Sequence, residues 1–231
     1  MNNRTIIRRA ALLFGVGVLG VSLYGAQLFY KKSAGTSPIQ VRQIGSATTD
    51  PTITIGGDFS LTDTKGNRRH TTDWRGRYVL LYFGYSYCPD ICPAALDNMS
   101  EALKRLGQHG KMIQPVFVTI DPDRDTKDQL KTYMASYHPT FIALSGPQEE
   151  IDIAVKKFKV VARKVKDDGS AIGPHETPGD DYLVDHSSII YLMDKEGQFI
   201  GHFNHLTPPE VLSEALGQHL RNEKTTIKTK L

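Results

Sequence analysis

The stretch YVLLYFGYSYCPDICPAAL, residues 78–96, joins two patterns that together decide the fold. Its first half, Tyr78 to Tyr85, is an unbroken apolar run of strand length, which predicts a strand buried on both faces. After the turn, Leu96, Met99, Leu103 and Leu106 recur at helical spacing, and Gly107 or Gly110 can stop that helix. Between strand and helix lies a Pro-flanked turn holding the only two cysteines of the 231-residue chain, Cys88 and Cys92.

The alternation continues downstream. PVFVTI at 115–120 predicts a second strand, and Leu130, Tyr133, Met134 and Tyr137 mark an amphipathic helix that Pro139 ends. TFIAL at 140–144 is the next strand, and Ile151, Ala154, Val155 and Phe158 line a third helix. SIIYLMDKEGQFIGHF reads as a hairpin turning near Glu196 and Gly197, and Val211, Leu212, Ala215 and Leu216 begin a closing helix. Upstream, turn signals at Lys65 to Asn67 predict a small leading hairpin. Strands alternating with helices imply an α/β class with a central, mostly parallel mixed sheet flanked by helices. A dithiol between the first main strand and its helix is the thioredoxin-like arrangement, here with C-x-x-x-C in place of C-x-x-C.

The segment Ala10 to Tyr30 carries no charge and is long enough to cross a bilayer as a helix. No good A-x-A-like site follows it, SAG at 33–35 being a weak candidate, so an uncleaved anchor is expected rather than a signal peptide. Arg4, Arg8 and Arg9 before it, against Lys31 and Lys32 after it, favour an inside N-terminus and an exported remainder. The expected organisation is a cytoplasmic N-terminus 1–9, an anchor 10–30, a Ser-, Thr- and Gly-rich linker 31–55, one domain 56–221 and a polar tail 222–231. Of the 28 basic residues five precede Ser33, which leaves 23 against 25 acidic residues for the rest of the chain. With no cluster of Lys and Arg on the domain, a nucleic-acid partner is excluded.

Two thiols in an oxidising compartment can pair, bind metal or exchange disulfides. A structural disulfide closing so short a loop would stabilise weakly. Pro93 suits a first helical position, which would set Cys92 at the helix cap, where N–H groups and the dipole favour a thiolate. Among the eight histidines, His70, His109, His138 and His219 suit the surface, His202 and His205 follow the late hairpin, and His175 lies in the Gly- and Pro-rich insertion within Asp167 to Asp181. His186 differs, because it immediately precedes the strand whose approach faces the dithiol in a thioredoxin-like sheet. Two soft sulfurs and one imidazole suit copper in either oxidation state. Zinc usually takes a fourth ligand, and an iron–sulfur cluster normally needs four cysteines.

FGYSYCPDICP at 83–93, TIDPDRDT at 119–126 and VDHSSIIYLMD at 184–194 resemble the three signature segments of the Sco/SenC family. The resemblance runs from about Gly56 to Leu220. It implies a membrane-anchored, thioredoxin-like copper protein serving cytochrome c oxidase assembly, with the ligands on Cys88, Cys92 and His186. It further implies one copper ion, Cu(I) or Cu(II), delivered to the CuA centre of oxidase subunit II. The expected setting is a bacterial inner membrane with the domain in the periplasm, where another copper chaperone or a thioredoxin-like reductase would be a further partner. Asp121, Arg124 and Asp125 match the family's D-P-x-R-D element and either shape the site loop or merely cap a helix and pair at the surface. The competing function is a thiol:disulfide oxidoreductase working through Cys88 and Cys92. A peroxidase would need a Thr-x-x-Cys site, which this chain lacks.

Overall fold

The computed structural model describes residues 54–172 and 181–229, with side chains through Arg221. The expected N-terminus and anchor, nearly all of the linker, and His175 lie outside the described residues. Among the described residues no helix is long and apolar enough to cross a membrane.

Strand β3 (Tyr78–Gly84) is buried at every position and lies inside a seven-stranded sheet, beside its central strand. Strand β4 (Ile113–Thr119), equally buried, lies parallel on one side, and β8 (Ile189–Met193) lies antiparallel on the other. Burial on both faces is why β3 and β4 show apolar runs instead of alternation. Strand β5 (Ile142–Ser145) extends the sheet parallel to β4. The leading hairpin, β1 (Ser60–Asp63) and β2 (Arg68–His70), adds antiparallel to β5, and β9 (Phe199–Asn204) closes the far edge on β8. The order is β2-β1-β5-β4-β3-β8-β9.

The sheet is therefore mixed but not mostly parallel: only β3–β4 and β4–β5 pair in parallel. Helical crossovers connect those strands, whereas both ends of the domain arrive as hairpins, which pair antiparallel.

Helix α1 (Ile91–Leu106) buries Cys92, Ala95, Leu96, Met99 and Leu103, and Gly107, at φ 54°, stops it. Helix α2 (Lys127–Met134) is capped by Thr126, whose hydroxyl accepts the Gln129 N–H at 3.2 Å, and α3 (Gln148–Lys157) buries Ile151 and Ala154. Helix α4 (Pro209–Thr229) packs beside α1 and buries Leu212, Leu216 and Leu220. It continues over most of the expected tail, because no glycine or proline after Gly217 stops it.

The stretch expected as an insertion is the connection of a second, two-stranded sheet. Strands β6 (Ala162–Lys166) and β7 (Tyr182–His186) pair antiparallel, with Ala162 opposite His186.

Asp63 closes the β1–β2 turn, accepting the Lys65 and Asn67 N–H groups at 2.9 Å each and Arg69 Nε at 2.8 Å. Burial alone would raise its pKa, but these donors outweigh burial and hold it at about 2. A depressed folded pKa stabilises above the unfolded value near 4, and that stabilisation is lost as pH falls from there through 2. The contribution is about 2 kcal/mol. Urea unfolding at pH 6 and pH 2 should show the wild type losing more stability than Asp63→Asn by about that amount. Equal losses would remove Asp63 from the acid response.

Candidate metal centre

Strand β3 ends at Gly84, the chain turns, and α1 begins at Ile91 with Asp90 as its N-cap. Cys92 is therefore not the cap but lies inside the first turn, and Pro93 stands third in the helix. Proline is tolerated there because first-turn N–H groups have no intrahelical partner. This shift changes which sulfur the helix end favours: the Cys92 N–H donates to Cys88 Sγ at 3.3 Å.

The two thiols are accordingly unequal. Hydrogen bonding from Cys92, helped by His186 and by the Cys92 and Asp90 N–H groups, overcomes burial and pulls the Cys88 thiol down to about 4. Cys92, fully buried, is pushed well up by Cys88 beside it and by burial. The Tyr82 hydroxyl donates to Cys92 Sγ at 3.8 Å. A Cβ on Gly84 would stand 2.9 Å from that sulfur and 3.0 Å from the Phe117 and Tyr82 rings, so glycine leaves room for it.

His186 ends β7, and its Nε2 stands 3.4 Å from Cys92 Sγ. Its Nδ1 lies 3.2 Å from the Ser187 carbonyl. A carbonyl only accepts, so Nδ1 donates there, and Nε2 is the ring atom turned toward the sulfurs. The Tyr82 and Tyr85 rings pack T-shaped with the imidazole, their centroids 6.2 and 6.0 Å away. One donor atom from each of Cys88, Cys92 and His186 lies within 4.8 Å of the others. A cleft of about 340 Å³, bounded by Tyr85, Cys88, Ile91, Val184, His186 and Ser188, opens from these donors to the surface.

Among the described residues the other histidines stand apart from this group. His70, His109 and His202 are exposed, His202 being stacked on Phe199, and His205 is half-buried in the loop whose backbone bonds Ser188.

The D-P-x-R-D element is neither a helix cap nor a surface pair, since Thr126 caps α2 and both aspartates are buried. Asp125 accepts the Ser86 N–H at 3.1 Å and the Ser86 and Thr119 hydroxyls at 2.5 Å each, tying the thiol turn to the end of β4. Asp121 pairs with Arg124 Nε at 2.6 Å. These roles were open in the sequence because Ser86, which Asp125 holds, and Tyr182, which Asp121 and Arg124 hold, are remote from them in the chain.

The SCO1/SenC family model matches residues 47–221. The SCO2-like protein of Rickettsia felis is 37% identical over 211 residues, which cover 91% of this chain and 94% of that protein. Among solved structures, Bradyrhizobium japonicum ScoI with copper bound is 36% identical with a TM-score of 0.62, covering 71% of this chain and 98% of that one. Yeast Sco1 with copper bound is also 36% identical, with a TM-score of 0.64 over 73% of this chain and 90% of that one. Both likenesses carry the thioredoxin-like α/β fold with its mixed sheet and flanking helices. The chain belongs to the SCO1/SenC family.

Proposed function

We propose that this chain binds one copper ion through Cys88, Cys92 and His186 and delivers it to the CuA centre of cytochrome c oxidase subunit II. The carrying observation is the convergence of two sulfurs and one imidazole nitrogen within 4.8 Å of one another. Sulfur suits Cu(I), and nitrogen beside sulfur tolerates Cu(II), so one donor set serves either state. Copper-bound structures of two relatives at 36% identity, and the place of Sco proteins in cytochrome c oxidase assembly, favour the same reading. Copper here is cargo: Cys88 and His186 border the open cleft, where an acceptor's cysteine or histidine can replace them one at a time.

The uncharged segment 10–30 and its basic flanks support a single membrane span, with the domain on the periplasmic side of a bacterial inner membrane. There another copper chaperone would load the site and a thioredoxin-like reductase would keep it open.

One observation favours a second reading, a thiol:disulfide oxidoreductase that reduces the CuA-site cysteines. The lowered Cys88 thiol beside a cleft is an attacking sulfur, with Cys92 behind it to resolve a mixed disulfide.

Redox state tests the ligand set directly. The full-length chain, reduced and anaerobic, should retain about one copper per chain after desalting, and the same chain oxidised to its Cys88–Cys92 disulfide should retain almost none. Equal copper in both preparations would refute ligation by the thiols.

A further inference from the structure

The donors of the proposed copper site, on which this inference rests, come from separate pieces of the fold. The thiols belong to the turn and helix that follow β3 in the large sheet, whereas His186 ends a strand that pairs, among the described residues, with β6 in the small one. The meeting of sulfur and imidazole therefore depends on what holds β7 against the thiol turn.

One side chain touches both. Arg124 Nη1 donates to the carbonyl of Tyr182, the first residue of β7, at 2.9 Å. The guanidinium carbon lies 3.5 Å from the centroid of the Tyr182 ring. The same carbon is 4.9 Å from the Tyr87 ring and 5.8 Å from the Tyr85 ring, both in the thiol turn. Asp121 holds it from below, accepting Arg124 Nε through one oxygen and the Tyr182 hydroxyl through the other. Tyr85 completes the link, since its hydroxyl accepts the Val184 N–H of β7 at 3.1 Å. A plane that donates from its edge and stacks on its face is what a guanidinium offers and an ammonium does not.

We propose that Arg124 is a positioning residue for the metal centre: it sets the His186 strand in register against the Cys88–Cys92 turn, so that the imidazole reaches the two sulfurs. Loss of Arg124 would then resemble partial loss of the nitrogen ligand, with both thiols intact.

The test compares wild type, Arg124→Lys and His186→Ala as reduced full-length chains. Cu(II) and Cu(I) affinities are measured separately by chelator competition, alongside the sulfur-to-Cu(II) charge-transfer spectrum and the number of titratable thiols. Arg124→Lys should keep two thiols and its Cu(I) affinity within about threefold, yet bind Cu(II) about 10-fold or more weakly with a shifted charge-transfer band. A general loosening would weaken both ions alike, and that outcome, or a wild-type spectrum and Cu(II) affinity, would overturn the inference. Tyr87→Leu, on the exposed side of the guanidinium, is the gentler variant if Arg124→Lys does not fold; it should show a smaller shift in the same direction, and no shift would overturn the inference equally. Failure of the underlying copper reading is distinguishable, because His186→Ala would then match wild type as well.

Discussion

His186→Ala should lower Cu(II) affinity by about 100-fold or more while leaving the dithiol in place. The substitution removes the one nitrogen donor from a set of three, and it leaves the helix-end hydrogen bond from the Cys92 N–H to Cys88 Sγ untouched. Cu(I), content with two sulfurs, should suffer less than Cu(II), which prefers nitrogen and tetragonal geometry. Thiol–disulfide exchange needs only the attacking sulfur and its resolving partner, so its rate should stay within a few-fold of wild type, the change arising from the lost His186 contribution to the Cys88 thiol. Paired with assembly of oxidase CuA in cells holding only the variant, the result separates the two functions. Lost Cu(II) binding with lost assembly supports a carrier. Normal assembly despite lost copper binding would give the function to the oxidoreductase.

The second large effect concerns Asp125. Its carboxylate, 1% exposed, receives the Ser86 N–H, the Ser86 hydroxyl and the Thr119 hydroxyl. Asp125→Ala leaves these donors facing a void and should cost about 3 kcal/mol, since each buried group left without a partner costs about 1–3 kcal/mol. The loss should be felt first in the thiol turn, which Ser86 anchors. The Asn variant reads out the charge. Burial raises the Asp125 pKa against the pull of Ser86 and Thr119. The native state then holds the proton to higher pH than the unfolded chain does, so this group favours folding at low pH and loses that advantage as pH rises above 4. Urea midpoints should therefore show wild type losing ground to Asp125→Asn between pH 4 and pH 7, a trend opposite to that of Asp63. A gap that moves the other way would mean that the hydroxyls outweigh burial.

The strand–turn–helix unit at 78–106 was legible because periodicity reports burial directly: β3 is apolar without a break and α1 repeats Leu96, Met99 and Leu103 on one face. Sheet polarity was less legible. Apolar runs do not say which neighbour a strand takes, and β1 crosses to β5 only once the whole sheet exists. The β6–β7 arm escaped notice because Ala-Arg-Lys-Val-Lys buries Val165 alone among its members, leaving almost no apolar alternation to read. At the site, donor chemistry singled out the three side chains that the structure brings together. Which thiol the helix end favours was misplaced, since proline is welcome at several first-turn positions and only the observed start at Ile91 resolves them. Arg124 was visible as a motif residue but not as a bridge, because Tyr87 and Tyr182 join it only through the tertiary fold.

Gly84 gives the dithiol a mechanical asymmetry. The sulfur of Cys92 rests against bare backbone on one side and the Tyr82 hydroxyl on another, and it is carried by a helix packed into the core. A disulfide brings two sulfurs to about 2.05 Å, and Cys92 has nowhere to travel. Closure is thus a latch with a fixed keeper and a moving bolt: Cys88 must swing inward on the turn that Asp125 pins at Ser86. The displacement should fall on the outward-facing turn that bears half-exposed Tyr87, so oxidation should reshape the surface a partner meets more than it shifts α1, whose Cys92 is fully buried.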